Sequence, residues 1–305
     1  MGAGWVGGLG AGWQGAGWQG AGWQGSGGAG GGGGDGTYAM RADRPLVAHD
    51  LTPDFNTLPK FPIHAWDSDL FSLTFLPDFF TAKVAGQTWD QAITINPIIP
   101  KVVMPGDVVA PGDDSIDDLR ILAVTERPEA IGEILNQAQN QQLCFMQLLT
   151  MTQNSHPSTF FLMKVAARVG EVVMMRLKRQ FNRARPTQYY PALYPPLTVP
   201  GHSSYPAGHA VIAHLTARVL IEATTATAGP GAGKSPYEKS LIALAEEISL
   251  NRVIAGFHFR SDIREGRVAG EKTHQFLKGI PPRNVAPPDF DYTSVAAAAN
   301  AEWNY

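Results

Sequence analysis

The sequence is poor in the features that mark secreted, membrane-spanning or nucleic-acid-binding chains. One cysteine, Cys144, occurs in 305 residues, so no intrachain disulfide framework supports the fold. It sits in the apolar run Leu143 to Leu149 and reads as core packing rather than as a nucleophile. An excess of one charge is also missing. A formal net charge of -3 gives no case for nucleic acid or an anionic membrane as partner, so any cationic site must be local. Long hydrophobic runs are absent. The best candidate, residues 160–181, is interrupted by Lys164, Arg168, Glu171, Arg176, Lys178 and Arg179, whereas a bilayer-crossing helix needs about 20 mostly uncharged residues. No basic residue precedes Arg41, and no compact leucine-rich run follows Met1, so no signal peptide is recognisable. These absences predict a soluble protein with no transmembrane segment, cytoplasmic by default.

Glycine, by contrast, is crowded at one end. Residues 1–36 hold more than half of the chain's 33 glycines, and a Gly-Ala-Gly-Trp-Gln pentad places Trp13, Trp18 and Trp23 five apart. Glycine this dense costs too much chain entropy to pack as an ordinary domain. The segment reads as a flexible tail, as a stretch upstream of a start at Met40, or as an assembly arm through which the chain forms a homo-oligomer. Residues 37–114 are rich in Pro, Asp and Phe with little periodicity, and predict a loop-rich cover.

Helical signals dominate residues 115–285, the expected catalytic domain, before a C-terminal tail over 286–305. Ser115 with Asp118 forms an N-cap with an acidic third position. Pro128 marks the next start, and Ile131, Ile134, Leu135 and Ala138 follow at helical spacing. Pro157 opens a long helix expected to reach Arg185, where Pro186 stops it. Further helices are predicted near Ala207, at the Ser235-Pro236-Tyr237-Glu238 capping box, and over Ser261–Leu277. The fold class is therefore all-α, a helical bundle with a Gly-rich N-terminal tail.

Three clusters carry chemistry. In the first, Lys178 and Arg185 are seven residues apart, nearly two helical turns, so both are expected on one face, where two cations suit an oxyanion. In the second, Tyr205-Pro206-Ala207-Gly208-His209 precedes an apolar helix. Glycine there lets helix-start amides approach an anion, and His209 in the first turn can move a proton beside it. In the third, Arg252 precedes Gly256, which permits a bend, and His258 and Asp262 are four apart. A carboxylate on one imidazole nitrogen leaves the other free to attack or ligate. Alone, each cluster also reads blandly, as a solvated basic helix end, a helix start that carries a histidine, and a core histidine beside an aspartate. Asp113, Asp114, Asp117 and Asp118 read as a turn and a helix start, and Gly229 to Ser235 as a connector rather than a phosphate loop. His214 and His274 read as packing or surface residues.

In order, the segments Lys178–Pro186, Pro206–His209 and Asn251–Asp262 resemble the three-part signature of the phosphatidic-acid-phosphatase type 2 / vanadium-haloperoxidase superfamily. The likeness spans roughly residues 115–277, and its surroundings, Val199 to Pro206, look like soluble bacterial members of the acid phosphatase type. The resemblance implies an oxyanion held by Lys178, Arg185, Gly208 and Arg252, with Ala207 at a further anion-binding position. It implies His258 as nucleophile or vanadium ligand, Asp262 as its orienting partner, and His209 as proton donor. Two positions depart from the pattern: Ala207 and Asn251 each stand where the family has serine. Loss of a charge-assisted bond of about 1.5–3 kcal/mol at Ala207 predicts weaker anion binding, with Ser203, Ser204 or water as substitutes. The resemblance implies a small phosphorylated or oxyanion ligand and a metal-independent phosphomonoesterase without cofactor. The alternatives are a haloperoxidase carrying vanadate on His258 and a non-catalytic oxyanion-binding or assembly subunit.

Overall fold

The computed structural model describes residues 66–227, 231–282 and 291–304. The glycine-rich segment 1–36, residues 37–65 of the expected cover, and part of the 229–235 connector lie outside these residues. The described chain is all-α apart from two pairs of two-residue strands.

Short elements come first. Asp67 caps helix α1 (Ser68–Ser72) by accepting from the amides of Asp69 and Leu70 at 3.0 Å. A 3-10 turn (Leu73–Phe75) leads into α2 (Leu76–Thr81). Strands β1 (Lys83–Val84) and β2 (Gln87–Thr88) form an antiparallel hairpin, and the Thr88–Gln91 capping box starts α3 (Trp89–Ala92). Strand β3 (Val102–Val103) pairs in parallel with β4 (Asp114–Ser115). These pieces are pinned to the helical body by Phe75, Phe79 and Ile93, all buried. Each such phenylalanine contributes about 1.5–3 kcal/mol by leaving water.

The body begins with α4 (Ile116–Thr125), where Ser115 accepts from the Asp118 amide as expected. Helix α5 (Arg127–Leu148) carries proline in its first turn and is broken at Asn140 (φ -157°, ψ 88°), whose side chain accepts from the Gln142 amide. Helix α6 (Pro157–Phe181) ends four residues short of the expected Arg185. Asn182 takes a left-handed conformation (φ 45°) and turns the chain away; asparagine tolerates this conformation better than most residues. The expectation that Lys178 and Arg185 share one helical face is therefore corrected, because Arg185 lies in extended chain ahead of the short helix α7 (Pro186–Tyr189).

Helix α8 (Gly208–Ala223) is buried along most of its length and packs against α6, α9 (Glu238–Ile254) and α10 (Arg260–Gly279). The capping box expected at Ser235 does not form. Ser235 instead bonds Thr224 at 2.6 Å and accepts from the Tyr237 amide. Helix α11 (Tyr292–Ala301), capped by Asp291, closes over α6. Two apolar clusters flank α8. One joins α6, α10 and the N-terminal aromatics. The other joins α5 and α9, with Cys144 half-buried at its edge and its thiol pKa pushed up by burial.

At the α8–α10 seam the helix backbones meet directly. A Cβ on Gly266 would lie 2.8 Å from the Ala207 carbonyl, and one on Gly270 would lie 2.6 Å from that of Val211. Among the described residues no helix is long and apolar enough to cross a membrane.

Candidate active site

The bundle brings the three separated sequence clusters to one cavity of about 40 Å³, lined in part by Arg185, His202, Gly208, His209 and His258. A buried water needs roughly 10–15 Å³, so the space is larger than a single water requires.

His258 occupies the turn between α9 and α10. Helix α9 stops because Gly256 adopts φ +84°, with Phe257 donating back to the Arg252 carbonyl and Gly256 to that of Val253. This is the left-handed helix stop for which glycine is favoured. The imidazole is buried, and its Nδ1 lies 3.3 Å from Asp262 Oδ2 and 3.2 Å from Ser204 Oγ. Its other nitrogen, Nε2, faces Arg185 Nη1 at 3.5 Å. Burial, followed by the charges of Arg185 and Lys178, pushes its pKa well below the usual imidazole range. It is a neutral ring with one nitrogen committed to a carboxylate and one free for an electrophile.

Asp262, fully buried in the first turn of α10, is tied down on all sides. Its Oδ2 accepts from the Phe259 amide at 2.8 Å and from Ser204 Oγ, and its Oδ1 accepts from Arg183 Nη1 at 2.7 Å. Arg183 also bonds Ser261 Oγ and Asp114 Oδ2, with its guanidinium 4.3 Å from the Phe259 ring. Asp114, read from the sequence as part of an acidic turn, is thus a buried residue that holds the arginine behind the site.

The cations sit as follows. Lys178 is buried at the end of α6 and donates to the carbonyls of Ser203 and Ser204 at 2.7 and 3.1 Å. Burial and the nearby Arg185 hold its pKa well below the usual lysine range. Arg185 donates through Nε to the His202 carbonyl and through Nη1 to that of Phe257. Burial lowers its pKa to about 10. Arg252, 1% exposed, donates through Nη2 to the Ile134 carbonyl and to Gln137 Oε1, while its Nε and Nη1 are buried without a partner. Two unpaired donors on a buried cation are costly unless an anion accepts from them. Asn251 anchors the same region by donating to Glu133 and Gln137.

Gly208 opens α8 with its side tight against α6, since a Cβ there would come within 2.4 Å of Met174 Sδ. The first-turn amides of α8 have no acceptor within the helix, and the helix dipole favours an anion there. Ala207, fully buried at the N-cap, supplies no side-chain cap, and its amide donates to the Asp262 carbonyl at 2.9 Å. His209 keeps part of its surface on the cavity. Enclosure, then Arg252 and His258, pushes its pKa well below the usual range.

The sequence reading offered Ser203 or Ser204 in place of the missing serine at Ala207. Ser203 Oγ instead donates to the Lys178 carbonyl and Ser204 Oγ to Asp262, so both hydroxyls are spent on positioning. Sequence reasoning also missed His202, which had been only context. Its Nδ1 lies 3.1 Å from Arg185 Nη2, and arginine can only donate. Nδ1 also lies 3.3 Å from the Ser203 carbonyl, but the shorter arginine contact makes Nδ1 the acceptor and leaves the proton on Nε2, buried and without a protein partner at the cavity wall. Burial, then Lys178 and Arg185, lowers its pKa to about 4.

Against known proteins, residues 159–285 match the PAP2 superfamily. This match agrees with the resemblance carried by the three sequence segments. The matched PAP2 segment starts inside α6, ends just beyond α10, and contains every site residue named from the sequence. The buried residues Asp114 and Gln137, which hold Arg183 and Arg252, lie outside it. No curated protein matches the chain. The match supports phosphatase-type activity at the level of the family only.

Proposed function

We propose that the protein hydrolyses phosphomonoesters through a phosphohistidine on His258. The observation that carries this reading is the setting of that ring: Nδ1 lies against Asp262 and Ser204, and Nε2 is 3.5 Å from Arg185 Nη1 in the cavity that His209 shares. His258 Nε2 attacks phosphorus as the ester P–O bond breaks, and the departing oxygen takes its proton from His209. Water then attacks the phosphohistidine, His209 accepts the water proton, and phosphate leaves. Arg185, Lys178, the unpaired donors of Arg252 and the Gly208 amide stabilise the charge on the three equatorial oxygens.

The test is p-nitrophenyl phosphate hydrolysis by the wild type and by His258→Ala, with trapping of an acid-labile phosphoenzyme. Loss of both signals in the variant supports the reading. Unchanged phosphate release by the variant removes it.

Vanadate fits the same donors. His258 Nε2 would ligate it, and Lys178, Arg185, Arg252 and the Gly208 amide would hold its oxygens. Bound there, it would supply peroxide activation for halide oxidation. With no hydroxyl at Ala207 and those of Ser203 and Ser204 engaged elsewhere, this is the second reading. Halogenation by the vanadate-loaded protein without phosphate release would replace the first. Silence in both assays from a folded protein would leave a non-catalytic oxyanion-binding subunit.

A further inference from the structure

The cavity does not end at the oxyanion donors. Its lining also includes Asp69 on α1, Gln141 and Gln142 just past the break in α5, and the apolar Ala167 and Ile212. The phosphatase reading assigns nothing to this end.

Gln141 is 8% exposed, and its Oε1 is buried without a partner. Its neighbour Gln142 differs, since its amide is spent on the Met163 carbonyl at 3.0 Å. A buried amide left open on a cavity wall is costly unless a ligand completes it. Asp69 is the second polar group there, and its charge is already met. Lys164 Nζ lies 3.0 Å from its Oδ2, and Arg168 Nη2 lies 3.5 Å from its Oδ1. Arg168 also pairs with Glu171 at 3.0 Å. Burial pushes Glu171 up to about 7, so near neutrality it is only partly ionised. Lys164 and Arg168 thus face Asp69 and a Glu171 that is only partly ionised. That balance does not attract a cation.

We infer that Gln141 and Asp69 form a leaving-group subsite for phosphate esters of neutral polyhydric alcohols, reading a hydroxyl close to the ester bond. A hydroxyl both donates and accepts. It can satisfy a carboxylate and either atom of an amide, which an alkyl chain cannot do. A site built to bond a hydroxyl discriminates against the analogue without it far more strongly than an apolar pocket discriminates by size. The inference rests on the phosphatase reading, and its test separates the two.

The probes are glycerol 1-phosphate and n-propyl phosphate, matched in length and differing in hydroxyls, with ethanolamine phosphate as the cationic comparison. The wild type is expected to favour glycerol 1-phosphate over propyl phosphate by at least about ten-fold in kcat/KM. Gln141→Leu should bring that ratio near one, with p-nitrophenyl phosphate turnover within about three-fold of wild type. Gln141→Met, close in shape, repeats the measurement in case the first variant folds poorly. Binding of the two esters to His258→Ala, followed by calorimetry, reads the same preference without catalysis. A preference there with no phosphatase activity in the wild type keeps the subsite and removes the phosphatase reading. Equal binding of the two esters, a ratio untouched by both Gln141 variants, or a preference for ethanolamine phosphate overturns the inference.

Discussion

Arg183 bonds Asp262 through Oδ1, the carboxylate oxygen turned away from His258, while Oδ2 faces the imidazole. The orienting carboxylate is therefore itself oriented, from behind, by a buried arginine that also grips Asp114. Arg183→Met leaves two buried carboxylates without their cation. Removing one partner of a buried ion pair costs about 3–5 kcal/mol. An unfolding free energy lowered by that amount, read from chemical denaturation, is expected, with phosphatase activity falling further than the folded fraction does. A variant as stable as the wild type would show that Arg183 is not the clamp.

Ser204 stands between the two members of the histidine–carboxylate pair, donating to Asp262 and lying 3.2 Å from His258 Nδ1. Ser204→Ala should lower kcat by about 10–100-fold with little change in KM, as loss of an orienting group does elsewhere. Stopped assays across a substrate series measure it. A rise confined to KM would place Ser204 in binding instead.

His202 contributes a neutral Nε2–H at the cavity wall because Arg185 occupies its other nitrogen. Its pKa of about 4 keeps it neutral from pH 5 to 8, so this contribution does not titrate in that range. His202→Phe should weaken inhibition by phosphate by roughly 10–100-fold, the value of one charge-assisted bond. The same factor should be found at pH 5.5 and pH 7.5. A factor that grows on acidification would contradict the tautomer.

Ala207 leaves the α8 N-cap without a side-chain oxygen. Ala207→Ser should tighten vanadate inhibition by roughly ten-fold to a hundred-fold, since one further bond to the anion is gained. Inhibition constants for the two proteins decide it. Looser or equal inhibition means that position does not border the anion.

His209 and His258 both sit well below the usual imidazole pKa, through burial and then neighbouring cations or each other. A bound dianion opposes that electrostatic part, so the complex holds more protons than the free protein. Sulfate, which does not titrate here, should bind with net proton uptake in mildly acidic buffer, and more tightly as pH falls. Calorimetry in buffers of different ionisation enthalpy reads the uptake. Proton release on binding would reverse the assignment.

The candidate site residues could be named because each of their segments is short and contiguous: Lys178 to Pro186, Pro206 to His209, Asn251 to Asp262. The groups that hold those segments were not, because they arrive from far along the chain. Asp114 reaches Ser261 and Arg183, and Gln137 reaches Arg252, across separations that leave no periodic trace. The bundle itself could be read from apolar spacing and from Ser115, Pro128 and Pro157. The end of α6 could not be placed by Pro186 alone, since the chain leaves the helix four residues earlier at Asn182. Asn182 was the available signal, though a weaker one than proline.

The contact between α8 and α10 acts as a fixed gauge for the candidate site. His209 rides on one of these helices, and His258 stands just ahead of the other. At Gly266 and Gly270 the spacing between them is set by main chain touching main chain. Such a junction has no rotamer to adjust when neighbouring side chains change. Substitutions on the outer faces of the bundle leave the span between the two imidazoles in place, whereas any side chain added at the junction would alter it in one step.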